Sequence, residues 1–262
     1  IALKIKKINV VARISLMISK ITSLPWLVSI SREWSSLFAF LCKPILFDRI
    51  NSSFISGLSA ITKILVLDVL AMFGLVIIAA LGMMAGIEIP RTSLAELALT
   101  PTLVLSIILF APILEESIFR SWLTGQPRYL VLLAVFIIIS AFNTMADDFF
   151  TLSGPKSILG AVNILGVCLG IVLAATFWKR ATPIWYRKKF WISYWLSATI
   201  FALVHLFNYT GHSILTLVPF VLPQFVLGAL LGYLRCKYGL WASFALHAAH
   251  NSIILSIVLL AR

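Results

Sequence analysis

The sequence predicts an all-α protein, a polytopic bundle of transmembrane helices, and three observations lead there. Of 262 residues, 61% are hydrophobic and only 11% charged, where ordinary globular chains are roughly half apolar and about a quarter charged. Mean hydropathy is +1.06. The apolar residues also gather into about seven runs of roughly twenty residues or more, the length that crosses about 30 Å of hydrocarbon as a helix. Backbone groups in hydrocarbon must be bonded within their own segment, so the runs are expected to be helices. This composition excludes a disordered chain and argues against a water-soluble domain.

Residues 1–60 read as a basic amphipathic region. Within it Trp26, Ile30, Trp34, Leu37, Phe38 and Leu41 recur every three or four positions between Pro25 and Pro44. That spacing predicts an amphipathic helix lying in the interface, with two tryptophans at headgroup level; the alternative is that 8–30 and 26–47 form an extra hairpin. Residues 61–262 read as the membrane domain, with spans near 61–87, 99–124, 129–150, 157–178, 190–209, 213–236 and 239–260. Gly125-Gln126-Pro127 and Ser153-Gly154-Pro155 are turn signals between spans. The cysteines, Cys42, Cys168 and Cys236, stand far apart and match no metal-ligand spacing or disulfide framework.

The net charge of +12 is a matter of topology. With the N-terminus inside, alternating spans place 18 of the 21 Lys and Arg residues on the inner side, leaving Arg91, Lys156 and Arg262 outside. The positive-inside rule then gives an odd number of spans, N-in and C-out. The inner basic residues face lipid headgroups, and nucleic acid is not an expected partner.

Function is sought in what a membrane helix should not contain, since an ionisable group at the bilayer centre costs about 2.5–3.5 kcal/mol on insertion scales. The second span carries Glu115, Glu116 and Arg120 within six residues. Glu116 and Arg120 share a helix face in the favourable order for an ion pair, and Glu115 points about 100° away. The fifth span ends in Phe201-Ala-Leu-Val-His205, and the seventh holds His247-Ala-Ala-His250-Asn251, with His247 and Asn251 on one face. The plain reading is a charged helix terminus and histidines satisfied between helices. Taken together, the groups suit a buried polar cavity for proton or ion translocation, or for hydrolysis with a trapped water. Asp68, in the first span behind Lys63, is expected to pair locally.

Glu115-Glu116-x-x-x-Arg120, Phe201-x-x-x-His205 and His247-x-x-x-Asn251 resemble the three motifs of the CPBP intramembrane proteases. That family includes the Rce1-type CAAX prenyl endopeptidases and bacterial homologues linked to bacteriocin self-immunity. The resemblance covers about residues 100–255 and implies an integral multi-pass protein of a bacterial inner membrane. It implies an intramembrane endopeptidase acting on a membrane-embedded or lipid-modified substrate. Glu115 and His205 would activate water, His247 and Asn251 would stabilise the oxyanion, and Glu116 with Arg120 would support the site. No metal is expected, although His205, His247 and a glutamate could in principle hold zinc. The sequence departs from the family in the distance between Glu115 and His205, which points to a helical hairpin inserted at 129–178, and in Ser121, where glycine is usual. The alternative function is a non-proteolytic relative that binds or stabilises a partner membrane protein.

Overall fold

The computed structural model describes residues 24–48, 53–90, 92, 98–150, 156–209 and 214–260. The basic stretch 1–23, Arg91, Arg262 and the Ser153-Gly154-Pro155 turn lie outside the described residues.

Helix α1, Pro25–Cys42, is opened by a proline at its first position and ends just before Pro44. Its apolar stripe does not face lipid alone. Leu37 and Phe40 are buried in the core, and Trp34 Nε1 donates to the Lys63 carbonyl at 2.9 Å. Glu33, on the polar face, takes hydrogen bonds from the hydroxyls of Tyr233 (2.6 Å) and Tyr238 (2.8 Å) and an ion pair from Lys237 (3.0 Å). The interfacial helix is thereby fastened to the bundle at both faces.

Helix α2, Phe54–Met84, is capped by Ser53, whose side chain accepts from the Ser56 amide. At 31 residues it is about 46 Å long, more than the hydrocarbon alone requires. Helix α3, Pro101–Phe119, is capped by Thr100 and passes into a 3₁₀ turn, Ser121–Thr124, closed by Gly125 at φ +65°. That turn is where the Gly-Gln-Pro signal predicted it. Helices α4, Pro127–Phe150, and α5, Lys156–Thr176, pack on one another, with Gly166 and Gly170 lying against Ile139 and Val135. Asn163 Nδ2 donates to Asn143 Oδ1 across the pair at 3.0 Å. The short α6, Ile184–Lys188, leads into α7, Phe190–Val204, which tightens into a 3₁₀ turn from His205 to Asn208.

Helix α8, Ile214–Tyr238, differs from the continuous span expected, because Pro219 and Pro223 impose a 3₁₀ segment at Val218–Val221 before the α-helix resumes. Gly239 at φ +104° separates it from α9, Leu240–Leu260. Six of these helices are long and apolar enough among the described residues to cross a membrane. The apolar side chains of α2, α4, α5 and α7 remain exposed on their outer faces, as lipid contact requires. The chain is an all-α integral membrane bundle whose core lies among α2, α3, α7, α8 and α9.

Candidate functional site

The site begins with an irregularity in α3. Ser106–Phe110 is a π-helical turn, in which the Ala111 amide bonds the Ser106 carbonyl instead of that of Ile107. Continued one residue on, the same register would pair the Ile107 carbonyl with the amide of residue 112. Residue 112 is proline and has no N–H. The orphaned carbonyl is met by Asn251 Nδ2 from α9 at 2.9 Å. One extra residue in the turn rotates everything after it, and so sets which way Glu115 and Glu116 face.

Glu116 and Arg120 are completely buried. The ion pair expected from their spacing forms at 3.3 Å. Glu116 also accepts from Ser243 Oγ and lies 3.0 Å from His247 Nδ1. A carboxylate already paired with a guanidinium can only accept, so the imidazole carries its hydrogen on Nδ1. Its Nε2 is then directed at Glu115, whose Oε2 is 3.6 Å away. That oxygen is enclosed and takes no hydrogen bond among the described residues.

Phe201 joins the three motifs. Its buried ring lies under the Arg120 guanidinium at 3.9 Å, 4.7 Å from the His205 ring and 5.7 Å from that of His247. His205 Nδ1 donates to the Phe201 carbonyl at 2.7 Å. A carbonyl cannot donate, so neutral His205 keeps a free lone pair on Nε2, and it sits within charge–charge reach of Glu115 and His247. From Phe190 as the start of the span, His205 would lie about 22 Å deep, below the level of the other motifs. Ser197 Oγ donates to the Phe119 carbonyl at 2.6 Å, so the first turns of α7 run beside the α3 terminus, and only about 12 Å separates Ser197 from His205. The depths then agree.

Asn251 shares a face with His247 but is held by the α3 backbone, outside the Glu116–His247 network. Asp68 does not pair with Lys63. It is buried and bonds His250 Nδ1 through Oδ2 at 2.7 Å, since residues five apart do not face each other on a helix whereas α2 and α9 lie side by side. His250 therefore belongs to a second polar contact one turn beyond the site.

Three positioning groups lie outside the three motifs, two of them, Gly228 and Arg235, in the stretch before the third motif that also resembles the family. Ser243 lies one turn before His247. Arg235, counted among the inner-side charges, donates from Nε to the Arg120 carbonyl at 3.0 Å and from Nη2 to the Ser121 carbonyl at 3.2 Å. It caps the end of α3, where helix carbonyls lack partners. Gly228 lets Arg120 in, because a Cβ there would stand 3.3 Å from Nη2 and 3.2 Å from the Phe201 ring. Among the described residues no group of three His, Cys, Asp or Glu is placed to hold a metal ion.

Neither the curated proteins nor the solved structures contain a match to the chain. Family comparison does match it: residues 97–253 fit the family described as type II CAAX prenyl endopeptidase Rce1-like. The match covers more than half of the chain and runs from the start of α3 through Asn251, so it takes in every residue that meets around Phe201. The chain belongs to the Rce1-like family of membrane-embedded CAAX-type endopeptidases.

Proposed function

We propose that the protein is an intramembrane endopeptidase that hydrolyses a peptide bond of a membrane-embedded or lipid-modified substrate without a metal. The observation that carries this reading is that Glu115, His205 and His247, from three separate spans, come within charge–charge reach of one another, beside a carboxylate oxygen that accepts no hydrogen bond among the described residues. Water held between Glu115 Oε2 and His205 Nε2 attacks the scissile carbonyl carbon, and its proton passes to Glu115. The carbonyl oxygen becomes the oxyanion. It is stabilised by His247 in its imidazolium form, donating from Nε2, and by the second amide hydrogen of Asn251, each donor worth up to about 3–4 kcal/mol in a dry site. On collapse the C–N bond breaks, and Glu115 returns the proton to the departing amine.

Glu116 holds His247 by Nδ1 and balances its charge, while Arg120 holds Glu116. The basic residues at the α3–α4 turn, the α5–α7 connection and the end of α8 favour an orientation with that end inside, in a bacterial inner membrane.

The test is cleavage of a prenylated CAAX-type peptide in proteoliposomes by wild type, Glu115→Gln and His205→Ala. Both variants are expected to lose at least about a hundredfold in rate, the low end of general acid–base contributions. Cleavage at wild-type rates by Glu115→Gln refutes the assignment. Retained activity after exhaustive chelation is the expected result for the metal-free reading.

A further inference from the structure

Below the α3 terminus, at the end of the bundle that carries most of the basic residues, lies a cavity of about 240 Å³. Arg187 of α6 and Arg235 of α8 line it together with Asp48, with Gln126 and Thr182 beside them and Leu46 and Phe47 on its apolar side. Each polar group has capacity left over. Arg235 uses Nε and Nη2 on backbone carbonyls, which leaves Nη1. Arg187 is held by Asp48 at 2.5 Å, but Asp48 is 89% exposed, and an ion pair that open to water contributes little. Gln126 Oε1 is enclosed and accepts no hydrogen bond among the described residues. An enclosed acceptor without a donor is costly, and a ligand that supplies one removes the cost.

Two guanidinium groups ask for a phosphate, which they bind by charge-assisted and often bidentate hydrogen bonds. The orphaned amide oxygen asks for a donor within a few bonds of that phosphate. The apolar side asks for the start of hydrocarbon. Basic pockets between helices at a membrane surface take lipid headgroups on the same grounds.

We infer that this cavity binds a phosphodiester carrying a hydrogen-bond donor, the chemistry of a phosphatidylethanolamine or phosphatidylglycerol headgroup. Arg187 and Arg235 hold the phosphate, and Gln126 Oε1 accepts from the ammonium or hydroxyl. Because Arg235 also caps the carbonyls of Arg120 and Ser121, an occupant braces the terminus of the helix that carries Glu115 and Glu116.

The experiment is native mass spectrometry of the delipidated full chain with phosphatidylethanolamine, phosphatidylglycerol and phosphatidylcholine of matched acyl chains, and separately with glycerophosphoethanolamine, a soluble phosphodiester with the same donor. Choline has no N–H or O–H, so phosphatidylcholine is expected to bind about tenfold more weakly than the other two, the value of one good hydrogen bond. Arg187→Gln is expected to lose about tenfold for all three lipids, and Gln126→Leu to erase the preference over phosphatidylcholine. Melting curves taken without lipid check that both variants fold. If glycerophosphoethanolamine binds as tightly as the lipids and shows the same Arg187 dependence, the phosphodiester chemistry stands with a soluble source. Equal retention of all three lipids, or retention unchanged in both variants, overturns the proposal. The readout is binding alone, so it fails or succeeds independently of peptidase activity.

Discussion

Replacing Glu116 by glutamine tests whether the buried charge at the centre of the bundle is there for stability or for chemistry. The pair it breaks has no solvent exposure on either side chain. Removing one partner of such a pair typically costs about 3–5 kcal/mol, most of it from the charge left unpaired. The substituted amide still offers Arg120 and Ser243 a neutral oxygen, and the Phe201 ring still lies 3.9 Å under the guanidinium. The loss is therefore expected at the lower end, about 3 kcal/mol, or on the order of 10 °C in melting midpoint. The double variant Glu116→Gln, Arg120→Met removes the second charge and fills its volume with apolar atoms, so stability should return most of the way. Activity should not return, because His247 has lost the carboxylate that holds Nδ1. Denaturation in detergent and peptide cleavage are measured on the wild type, the single and the double variant. A single variant within about 1 kcal/mol of wild type, or a double variant less stable than the single, would refute the account of Glu116 and Arg120 as one charge-balanced unit.

Asn251→Leu removes the donor that meets the Ile107 carbonyl, and leaving a buried acceptor open should cost about 1–3 kcal/mol, read as a lower melting midpoint alongside the loss of cleavage. Gly125→Ala should destabilise without touching the site: the residue sits at φ +65°, and an added Cβ would overlap the Tyr186 ring and Thr182 Cγ2; left-handed backbone alone costs an alanine about 1–2 kcal/mol. Acid should release α1. Burial raises the pKa of Glu33, but hydrogen bonds from Tyr233, Lys237 and Tyr238 and the Lys237 charge outweigh it and leave the group below its usual 4.5. A depressed carboxylate contributes stability that is complete above the unfolded value and disappears as pH falls through the folded one. Hydrogen exchange in residues 25–42 should accordingly quicken only below about pH 4.5, and Glu33→Gln should abolish that pH dependence.

Span positions are legible because hydropathy belongs to each segment by itself: 129–150 was expected, and the helix is Pro127–Phe150; 157–178 falls on Lys156–Thr176, whose described apolar part, Val162–Thr176, is shorter than the other spans. The Glu116–Arg120 pair is legible for a similar reason, since its spacing is local. Contacts between segments are a different matter. Nothing near Asp68 in the chain announces His250, 182 residues away, and the nearer Lys63 is the wrong distance along the helix. Arg235 reads as one more basic residue at a span end because its value lies in where the α3 carbonyls run out. Ser243 is an ordinary helix serine until Glu116 arrives beside it. The π-turn has the clearest retrospective signal, Pro112 inside an apolar span, but a proline says only that a hydrogen bond is missing. It does not say which side chain will replace it.

The charges around Phe201 do not balance as drawn. Arg120 supplies one positive charge, while Glu115 and Glu116 supply two negative ones. Arg235 at the α3 terminus, a protonated imidazole or a proton on a carboxylate makes up the difference in a region of low dielectric. Glu116 is saturated by Arg120, Ser243 and His247, which leaves Glu115, His205 and His247 as the groups that can carry the proton. We place that proton on His247, whose Nε2 lies 3.6 Å from Glu115 Oε2. In the proposed reaction this is an advantage. With the proton on His247, Glu115 is ionised and ready to take one from water while Nε2–H is ready for the oxyanion. The attacking step then moves a proton onto Glu115 as negative charge develops on the carbonyl oxygen, so the total charge of the cluster and substrate stays constant where water cannot screen it.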